Sequence, residues 1–231
     1  MAKDFNHPQV VAGYDQHIRK LIPGYELIHL QVHALLKSHL EAEAEVVVVG
    51  CGTGYELQYL AEQFPQWRFT AIDPALNMLK QAEQHIQSLA LQDKITFVHG
   101  DTSVLQHMRH QFDAAVTILV SHFVAHEFKH QFFQDIAHSL KSTGICLSYD
   151  LTALQYPAQA NVLKNLTLAT GLAEAQANAM LERLEQDFYL IDPQQLKQLY
   201  SDVGFEVVEQ FTQVLNYVGL IGFNPNTPKE Y

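Results

Sequence analysis

Four consecutive valines at positions 46–49, followed at once by a glycine-rich turn, constrain the fold of this chain more than any other feature. A short β-branched run without polar alternation is typical of a strand that is buried on both faces of a parallel sheet. Glycines at the end of such a strand allow a ligand to approach the backbone N–H groups closely, where a helix begins. The segment 46–54 therefore predicts an α/β protein with a ligand site at this turn.

Strand and helix patterns go on alternating as far as residue 151. The further predicted strands are 67–72, 94–100, 112–120 and 145–151, and the predicted helices between them include 75–91 and 126–141. This alternation indicates βαβ units, and the right-handed crossover rule places helices on both faces of the sheet. We therefore expect a doubly wound, mainly parallel sheet.

The two ends of the chain differ from this central pattern. Helix is predicted for the first 40 residues, with a break at Pro23-Gly24. After residue 151, a long stretch without strand patterns predicts a helical cap, and the last segment predicts a helix followed by an antiparallel hairpin. We expect one domain over 1–231, made of an N-terminal helical lid (1–40), a ligand-binding core (44–151), a helical cap insertion (152–190) and a closing helix and hairpin (191–223).

Charge and composition exclude several function classes. The chain has 14 Lys and Arg against 25 Asp and Glu, which gives a net charge of −11, and it has no basic run. A protein that neutralises many phosphates needs a basic face, so we expect no nucleic-acid binding and no anionic membrane surface as partner. Two cysteines, no secretory pattern and no apolar run of about 18 residues predict a protein of the cytoplasm.

Acidic residues stand at the ends of the second and third predicted strands. Asp73 follows the second strand, where a carboxylate can accept hydrogen bonds from both hydroxyls of a ribose. Asp101 and Thr102 follow the third strand, where an acid can accept a hydrogen bond from an adenine amino group. Tyr55 stands where a dinucleotide fingerprint has its last glycine. The spacing therefore favours an adenosine ligand without a pyrophosphate.

The glycine turn, Asp73 and Asp101 follow successive predicted strands in this order. With these features, the chain resembles the class I S-adenosylmethionine-dependent methyltransferases over residues 44–151 and 205–223. The resemblance implies a doubly wound, Rossmann-like sheet of seven strands with the last strand antiparallel. It also implies S-adenosylmethionine as cofactor, with the glycine turn at its methionine end, Asp73 at the ribose and Asp101 at the adenine. The residues that the resemblance places at the cofactor are Gly50, Cys51, Gly52, Gly54, Asp73, Pro74, Met78, Asp101, Thr102 and Leu119.

The N-terminal segment YDQHIRKLIPGYELIH is similar to the carboxy-S-adenosylmethionine synthases of tRNA wobble-uridine modification. The resemblance implies that Tyr25 reaches the cofactor, and Tyr14 could close over it as well. Two positions depart from that group. Its strand-four asparagine falls near Ile118, and its downstream arginine falls on Glu182, beside Arg183. These departures argue against use of the carboxylated cofactor.

The acceptor of the methyl group is less constrained than the cofactor. Methyl transfer from a sulfonium is an in-line displacement, which needs a base only if the acceptor loses a proton. His122, which follows the fourth strand, is the best candidate for such a base. The apolar cap favours a small-molecule acceptor. The alternatives are a carboxy-S-adenosylmethionine synthase-like enzyme and a non-catalytic cofactor-binding module, and a homodimer stays open.

The motif HEFKH at residues 126–130 matches H-E-x-x-H, a pattern of zinc hydrolases. On one helix His126 and His130 would share a face, with His122 one turn earlier. The longer form of the motif requires a glycine at the position of Phe133, and a third ligand is not evident. In a chain with 13 histidines a chance match is common, so we expect no catalytic metal here.

Overall fold

A computed structural model describes residues 5–227 of the chain, which form a seven-stranded sheet flanked by helices. The strands are β1 (Glu45–Val49), β2 (Arg68–Asp73), β3 (Ile95–His99), β4 (Phe112–Ile118), β5 (Leu140–Leu151), β6 (Val207–Val214) and β7 (Tyr217–Phe223). Their order is β3-β2-β1-β4-β5-β7-β6. The first five strands pair in parallel, and β7 lies antiparallel to both of its neighbours. The predicted fold class is confirmed, and the topology is that of a Rossmann-like sheet closed by one antiparallel strand.

Helices cover both faces of the sheet. They are α1 (Pro8–Leu21), α2 (Tyr25–His39), α3 (Tyr55–Gln63), α4 (Leu76–Ser88), α5 (Lys129–Ser139), α6 (Gln159–Ala169), α7 (Glu174–Gln186) and α8 (Pro193–Asp202). Among the residues described, no helix is both long and apolar enough to span a lipid bilayer.

The valine run of β1 connects the two halves of the core. Val46 and Val48 pack into one apolar cluster, which includes residues of α2, α3 and α4. Val47 and Val49 pack into the other, which includes residues of α5 and α8. All four valines are at most 3% exposed. Successive strand residues point to opposite faces, so a strand covered on both sides is apolar at every position.

Several element boundaries differ from those that the sequence predicts. Strand β4 ends at Ile118 rather than at residue 120, because Leu119 turns the chain out of the sheet with a φ of +61°. Strand β5 begins at Leu140 rather than at residue 145, through an irregular register with β4. Helix α5 begins at Lys129, three residues later than predicted, because residues 126–128 form a separate 3-10 turn.

The segment after β5 consists of helices α6 and α7, with Gly171 at a φ of +91° in the turn between them. Leu163, Met180 and Leu184 from this pair join the apolar cluster that covers one face of the sheet. Helices α6 and α7 therefore pack against the hydrophobic core of the sheet.

Candidate functional site

The glycine turn after β1 has a backbone that favours residues without a side chain. Gly50, Gly52 and Gly54 have φ values of +74°, +53° and +90°, which lie in the left-handed region. A Cβ on Gly54 would lie 3.1 Å from the Cβ of Ala82 in α4. The turn thus combines a left-handed backbone with close packing against a helix, and it leads directly into the N-terminus of α3.

Asp73, the last residue of β2, forms a hydrogen bond to this turn from the neighbouring strand. One carboxylate oxygen, Oδ2, accepts a hydrogen bond from the Gly52 N–H at 2.8 Å, and Oδ1 accepts one from the Ala75 N–H at 2.8 Å. Burial raises the pKa of Asp73, although the two N–H donors oppose this rise. A buried carboxylate at this strand end has lone pairs available to ligand hydroxyls.

A cavity of about 340 Å³ lies over the glycine turn and the carboxyl ends of the strands; it is called the strand-end cleft. Most of the site residues that the sequence predicts line it: Tyr14, Tyr25, Gly50, Cys51, Gly52, Asp73, Pro74, Met78, Asp101, Thr102 and Leu119. Gly54 is not in its wall and instead packs against α4. The sequence alone did not single out Glu56, Phe123 or Val124, which also line the cleft.

Asp101 and Thr102 begin the short helical turn that follows β3. The Asp101 carboxylate accepts hydrogen bonds from the Ser103 N–H at 3.0 Å and the Ser103 hydroxyl at 2.6 Å, and these bonds lower its pKa. The Thr102 hydroxyl donates to Asp135 at 3.3 Å. Asp101 is therefore ionised at neutral pH, and it caps the turn at the rim of the cleft.

Two tyrosines of the N-terminal helices reach the strand-end cleft. Burial raises the pKa of both Tyr14 and Tyr25, so both side chains are neutral phenols at neutral pH. The helix that carries Tyr14 is tied to the glycine turn, because the Thr53 hydroxyl donates a hydrogen bond to Asp15 at 2.5 Å. This hydrogen bond connects α1 directly to the turn at the end of β1.

A second cavity, of about 550 Å³, lies between α1, α7 and the sheet; it is called the larger cavity. It shares Phe5, Tyr14, Leu119 and Phe123 with the strand-end cleft. The other residues in its wall are mainly apolar and come from α1, α7 and the segments near the strand ends. They are Gln9, Val10, Gly13, His17, Ile18, Leu21, Ile22, His122, Leu151, Gln176, Ala179, Met180, Arg183, Leu184, Phe188 and Tyr217.

His122 is in the wall of the larger cavity, where it forms a dyad with Asp150 of β5. The Nδ1 atom of the ring makes a short hydrogen bond to Oδ1 of Asp150, and the two side chains are 6% and 1% exposed. Backbone N–H groups of Ser121 and Leu151 also donate to the Asp150 carboxylate, at 2.7 and 3.0 Å. Burial alone would raise the pKa of Asp150, but His122, the hydrogen bond from Ser121 and the charge of Lys129 hold this pKa below its ordinary value.

Asp150 was not predicted as a site residue, although the sequence contains a signal for it. Asp150 lies in the predicted strand 145–151, where an acid is unusual in a strand covered on both faces. Lys129, also missed, lies behind the dyad and donates to the Ser121 carbonyl at 2.6 Å. Burial lowers the pKa of Lys129 to about 8, and the negative charge of Asp150 opposes this shift.

The HEFKH segment does not form one helical face. His126 and Glu127 lie in the 3-10 turn, whereas His130 lies in α5, so the spacing of one α-helix does not apply to the motif. The ring of His126 instead contacts Tyr189 edge to face. Within residues 5–227, no group of three or more histidine, cysteine, aspartate or glutamate side chains is arranged to hold a metal ion.

Of the two positions compared with the carboxy-S-adenosylmethionine synthases, Ile118 lies at a cavity, whereas Glu182 does not and its neighbour Arg183 does. Ile118 lines the strand-end cleft and supplies no polar atom from its side chain. Arg183, which the spacing placed one residue away from the arginine position, lines the larger cavity. Its Nε donates to Asp187 at 2.8 Å, and its guanidinium lies 5.3 Å from the ring centre of Phe188.

Comparisons with known proteins agree with this architecture. Residues 46–144 match a family model described as a methyltransferase domain. A carboxy-S-adenosyl-L-methionine synthase of Desulfotalea psychrophila is 22% identical over 97% of this chain and 94% of its own length. A malonyl-[acyl-carrier protein] O-methyltransferase of Priestia megaterium is 26% identical over 39% of this chain, and the match spans 31% of that protein.

Among solved structures, an O-methyltransferase family protein from Burkholderia thailandensis superposes with a TM-score of 0.68 at 16% sequence identity. The superposition covers 98% of this chain and 62% of that one. At this identity the likeness concerns the fold. Residues 46–144 therefore carry a methyltransferase domain, and the relatives support an S-adenosylmethionine-dependent enzyme.

Proposed function

We propose that this enzyme methylates a small, mostly apolar molecule held in the larger cavity. One observation carries the proposal: a cavity of about 550 Å³ with a mainly apolar wall adjoins the strand-end cleft and shares part of its wall. Cavities of this size and polarity are typical of sites for small molecules. The net charge of −11 disfavours a polynucleotide in the same place.

The strand-end cleft fits the cofactor in shape and chemistry. Its glycine turn brings the backbone close to the ligand, and Asp73 supplies a buried carboxylate for the ribose hydroxyls. We assign the glycine turn to the methionine end and Asp101–Thr102 to the adenine. Tyr14 and Tyr25 close the cleft from the N-terminal helices. When bound, the cofactor supplies an electrophilic methyl group, and the protein aligns the acceptor with it and excludes water.

The same contacts support the proposed division of the chain. We propose that residues 1–40 act as a lid on the cofactor, because Tyr14 lies in the wall of both cavities. Residues 152–190 act as a cap on the acceptor, because Met180, Arg183 and Phe188 line the larger cavity. The core 44–151 and the closing segment 191–223 complete one domain.

Replacing Asp73 with alanine is expected to weaken S-adenosylmethionine binding by about 1–3 kcal/mol, because a buried hydrogen-bonding partner is lost. Isothermal calorimetry on the wild type and the variant measures this difference. The control is Asp202→Ala, a substitution of an exposed residue at the end of α8. This variant should bind S-adenosylmethionine as the wild type does. Equal affinity of Asp73→Ala and the wild type would contradict the assignment of the ribose to Asp73.

Acid is also expected to weaken cofactor binding through Asp73. The ionised carboxylate accepts hydrogen bonds from both ribose hydroxyls, whereas the protonated form loses part of this capacity. Because burial raises the pKa of Asp73, the loss should begin at a higher pH than for an ordinary aspartate. Calorimetry between about pH 7 and pH 5 checks this, and Asp73→Asn should lack this pH-dependent component.

The small-molecule proposal is tested by acceptor-dependent turnover. Purified enzyme should form S-adenosylhomocysteine slowly alone and faster with members of an apolar small-molecule panel. Met180→Trp, which narrows the larger cavity, should reduce acceptor-dependent turnover and leave cofactor affinity unchanged, because Met180 lines only that cavity. Turnover of unmodified tRNA without a partner protein, or unchanged turnover in Met180→Trp, would contradict the proposal.

A second candidate is a carboxy-S-adenosylmethionine synthase-like activity, which the match over 97% of the chain favours. Arg183 in the larger cavity supplies a cation that could bind a carboxylate, although Asp187 already pairs with it. Ile118, however, offers no hydrogen bond at the cleft. Mass spectrometry of ligand released from the purified protein separates the two functions, because the carboxylated cofactor is heavier and would co-purify only in the second case.

A further inference from the structure

We propose that the methyl acceptor is a hydroxyl group on an aromatic ring, and that His122 removes its proton while Asp150 orients and charge-balances the His122 ring. This inference rests on the proposed function, because it names the acceptor class for the same larger cavity. His122 acts as the catalytic base, and Asp150 acts as a positioning residue. Nothing in the comparisons assigns either role.

The dyad leaves one nitrogen of His122 free to accept a proton. An ionised carboxylate only accepts hydrogen bonds, so the Nδ1 atom beside Asp150 carries the ring proton. The neutral ring then has its lone pair on Nε2; within the described residues, the only hydrogen bond of this ring is the one that Nδ1 makes to Asp150. His122 lines the larger cavity and not the strand-end cleft, which places the base on the acceptor side.

The surroundings of Asp150 stabilise the buried side chain as an anion. Its carboxylate is 1% exposed and receives the N–H groups of Ser121 and Leu151 as well as the ring of His122. The Lys129 ammonium group donates a hydrogen bond to the Ser121 carbonyl, and its positive charge helps to lower the pKa of Asp150. When His122 gains a proton, the positive charge of its ring is balanced by Asp150, as in other histidine–carboxylate pairs.

A base of this kind is needed by only some acceptors. An amine can attack before it loses its proton, and a carboxylic acid is already ionised at neutral pH. A hydroxyl group becomes a strong nucleophile only as its proton leaves. In the balanced step, the O–H proton moves to Nε2 of His122, an O–CH₃ bond forms, and the S–CH₃ bond of the cofactor breaks with its electron pair left on sulfur. The dyad therefore favours an O–H acceptor.

The wall of the larger cavity favours an aromatic acceptor. The rings of Phe123 and Phe188 pack around His122 at centroid distances of 4.2 and 4.9 Å, and Phe5 and Tyr217 also line the cavity. Flat aromatic ligands gain from edge and face contacts with such rings. Arg183 is the only lysine, arginine, aspartate or glutamate among the described residues of this wall, and its pairing with Asp187 leaves no net charge for an anionic acceptor.

The first test compares two phenols of different acidity in turnover assays. His122→Gln should lower the rate for 4-methoxyphenol by about 10²–10⁴-fold, the usual contribution of a general base. For 4-nitrophenol, assayed where it is already ionised, the loss should be less than about tenfold, because no proton has to be removed. A merely structural role for His122 would lower both rates equally. His126→Gln, an exposed neighbour, is the matched control and should leave both rates unchanged.

Asp150→Asn should show the same dependence on acceptor acidity with a smaller loss, because the ring is retained but its charge is no longer balanced. Its melting temperature is recorded beside its rates, since Asp150 also accepts backbone hydrogen bonds. A loss that is equal for both phenols in a variant that melts like the wild type would overturn the positioning role.

The second test needs no cofactor. 4-Nitrophenol absorbs differently as phenol and as phenolate, so titration with protein near the midpoint of its own ionisation should increase the phenolate band when the probe binds beside His122. The increase should vanish in His122→Gln and persist in His126→Gln. Binding without the increase in the wild type would overturn the role of His122 as proton acceptor.

The acceptor panel separates failure of this inference from failure of the proposed function. Methylation of aromatic amines or thiols, with no methylation of either phenol, would overturn the hydroxyl acceptor and leave a small-molecule methyltransferase. No turnover of any small molecule by protein that binds S-adenosylmethionine would overturn both. Turnover of the phenols with the predicted response of His122→Gln supports both.

Discussion

Replacing Asp150 with alanine is expected to destabilise the protein by about 3–5 kcal/mol, the range for breaking a buried charged pair by removal of one partner. The substitution leaves the Nδ1 N–H of His122 and the N–H groups of Ser121 and Leu151 without their acceptor at a buried site. Each buried donor without a partner costs about 1–3 kcal/mol. Urea unfolding at neutral pH, followed by circular dichroism, measures the difference.

The effect of Asp150 on stability should also depend on pH. Because the folded protein holds the pKa of Asp150 below its ordinary value, its ionised form contributes stability above that ordinary value, and this contribution is lost as the pH falls through the folded pKa. The difference between the wild type and Asp150→Ala should therefore shrink in acid. Asp93→Ala, an exposed substitution, should stay within about 0.5 kcal/mol of the wild type. Equal stability of Asp150→Ala and the wild type would contradict the buried dyad.

Replacing Gly54 with alanine is expected to lower the free energy of unfolding by about 2–5 kcal/mol and to weaken cofactor binding. A left-handed backbone, here with a φ of +90°, costs a residue with a side chain about 1–2 kcal/mol. The new Cβ would also lie 3.1 Å from the Cβ and 3.2 Å from the Cα of Ala82, and overpacking of this kind costs about 1–3 kcal/mol. Relief of this contact would move the glycine turn or α4, and with it the floor of the strand-end cleft. Thermal unfolding and calorimetry with S-adenosylmethionine measure the two effects.

Gly171 offers a matched control for this prediction. Its φ of +91° is nearly the same, but a Cβ there would meet nothing within 4 Å. Gly171→Ala should therefore show the backbone cost alone, about 1–2 kcal/mol, with unchanged cofactor affinity. If both variants lose the same stability and neither loses affinity, the contact between Gly54 and α4 is unimportant.

Some of the site could be predicted because its signals are local in the sequence. A strand covered on both faces is apolar at every position, and a turn with positive φ favours glycine. Residues 46–54 alone were therefore enough to predict the first strand and its turn. The carboxyl ends of parallel strands meet at one edge of the sheet, which predicted that Asp73 and Asp101 lie near that turn. The structure places both residues in one cleft. Their roles toward the cofactor remain predictions.

Other parts of the site could not be predicted because they depend on contacts between distant segments. His122 and Asp150 are 28 residues apart and meet only because β4 and β5 are neighbours in the sheet. Arg183 falls one residue from the compared position along the sequence, and the rotation of α7 decides that it lines the larger cavity. The HEFKH motif suggested one helical face, but the chain changes from a 3-10 turn to an α-helix within it.

The sequence by itself determined the sheet, the glycine turn and the acids at the strand ends, because hydrophobic periodicity, glycine and chain order act over short stretches of chain. Only the tertiary structure decided which buried acid supports His122, where the larger cavity lies and which side chains the two cavities share. These features arise from the packing of α1 and α7 against the ends of β4 and β5. That packing depends on side-chain volume and helix rotation, which no local pattern encodes.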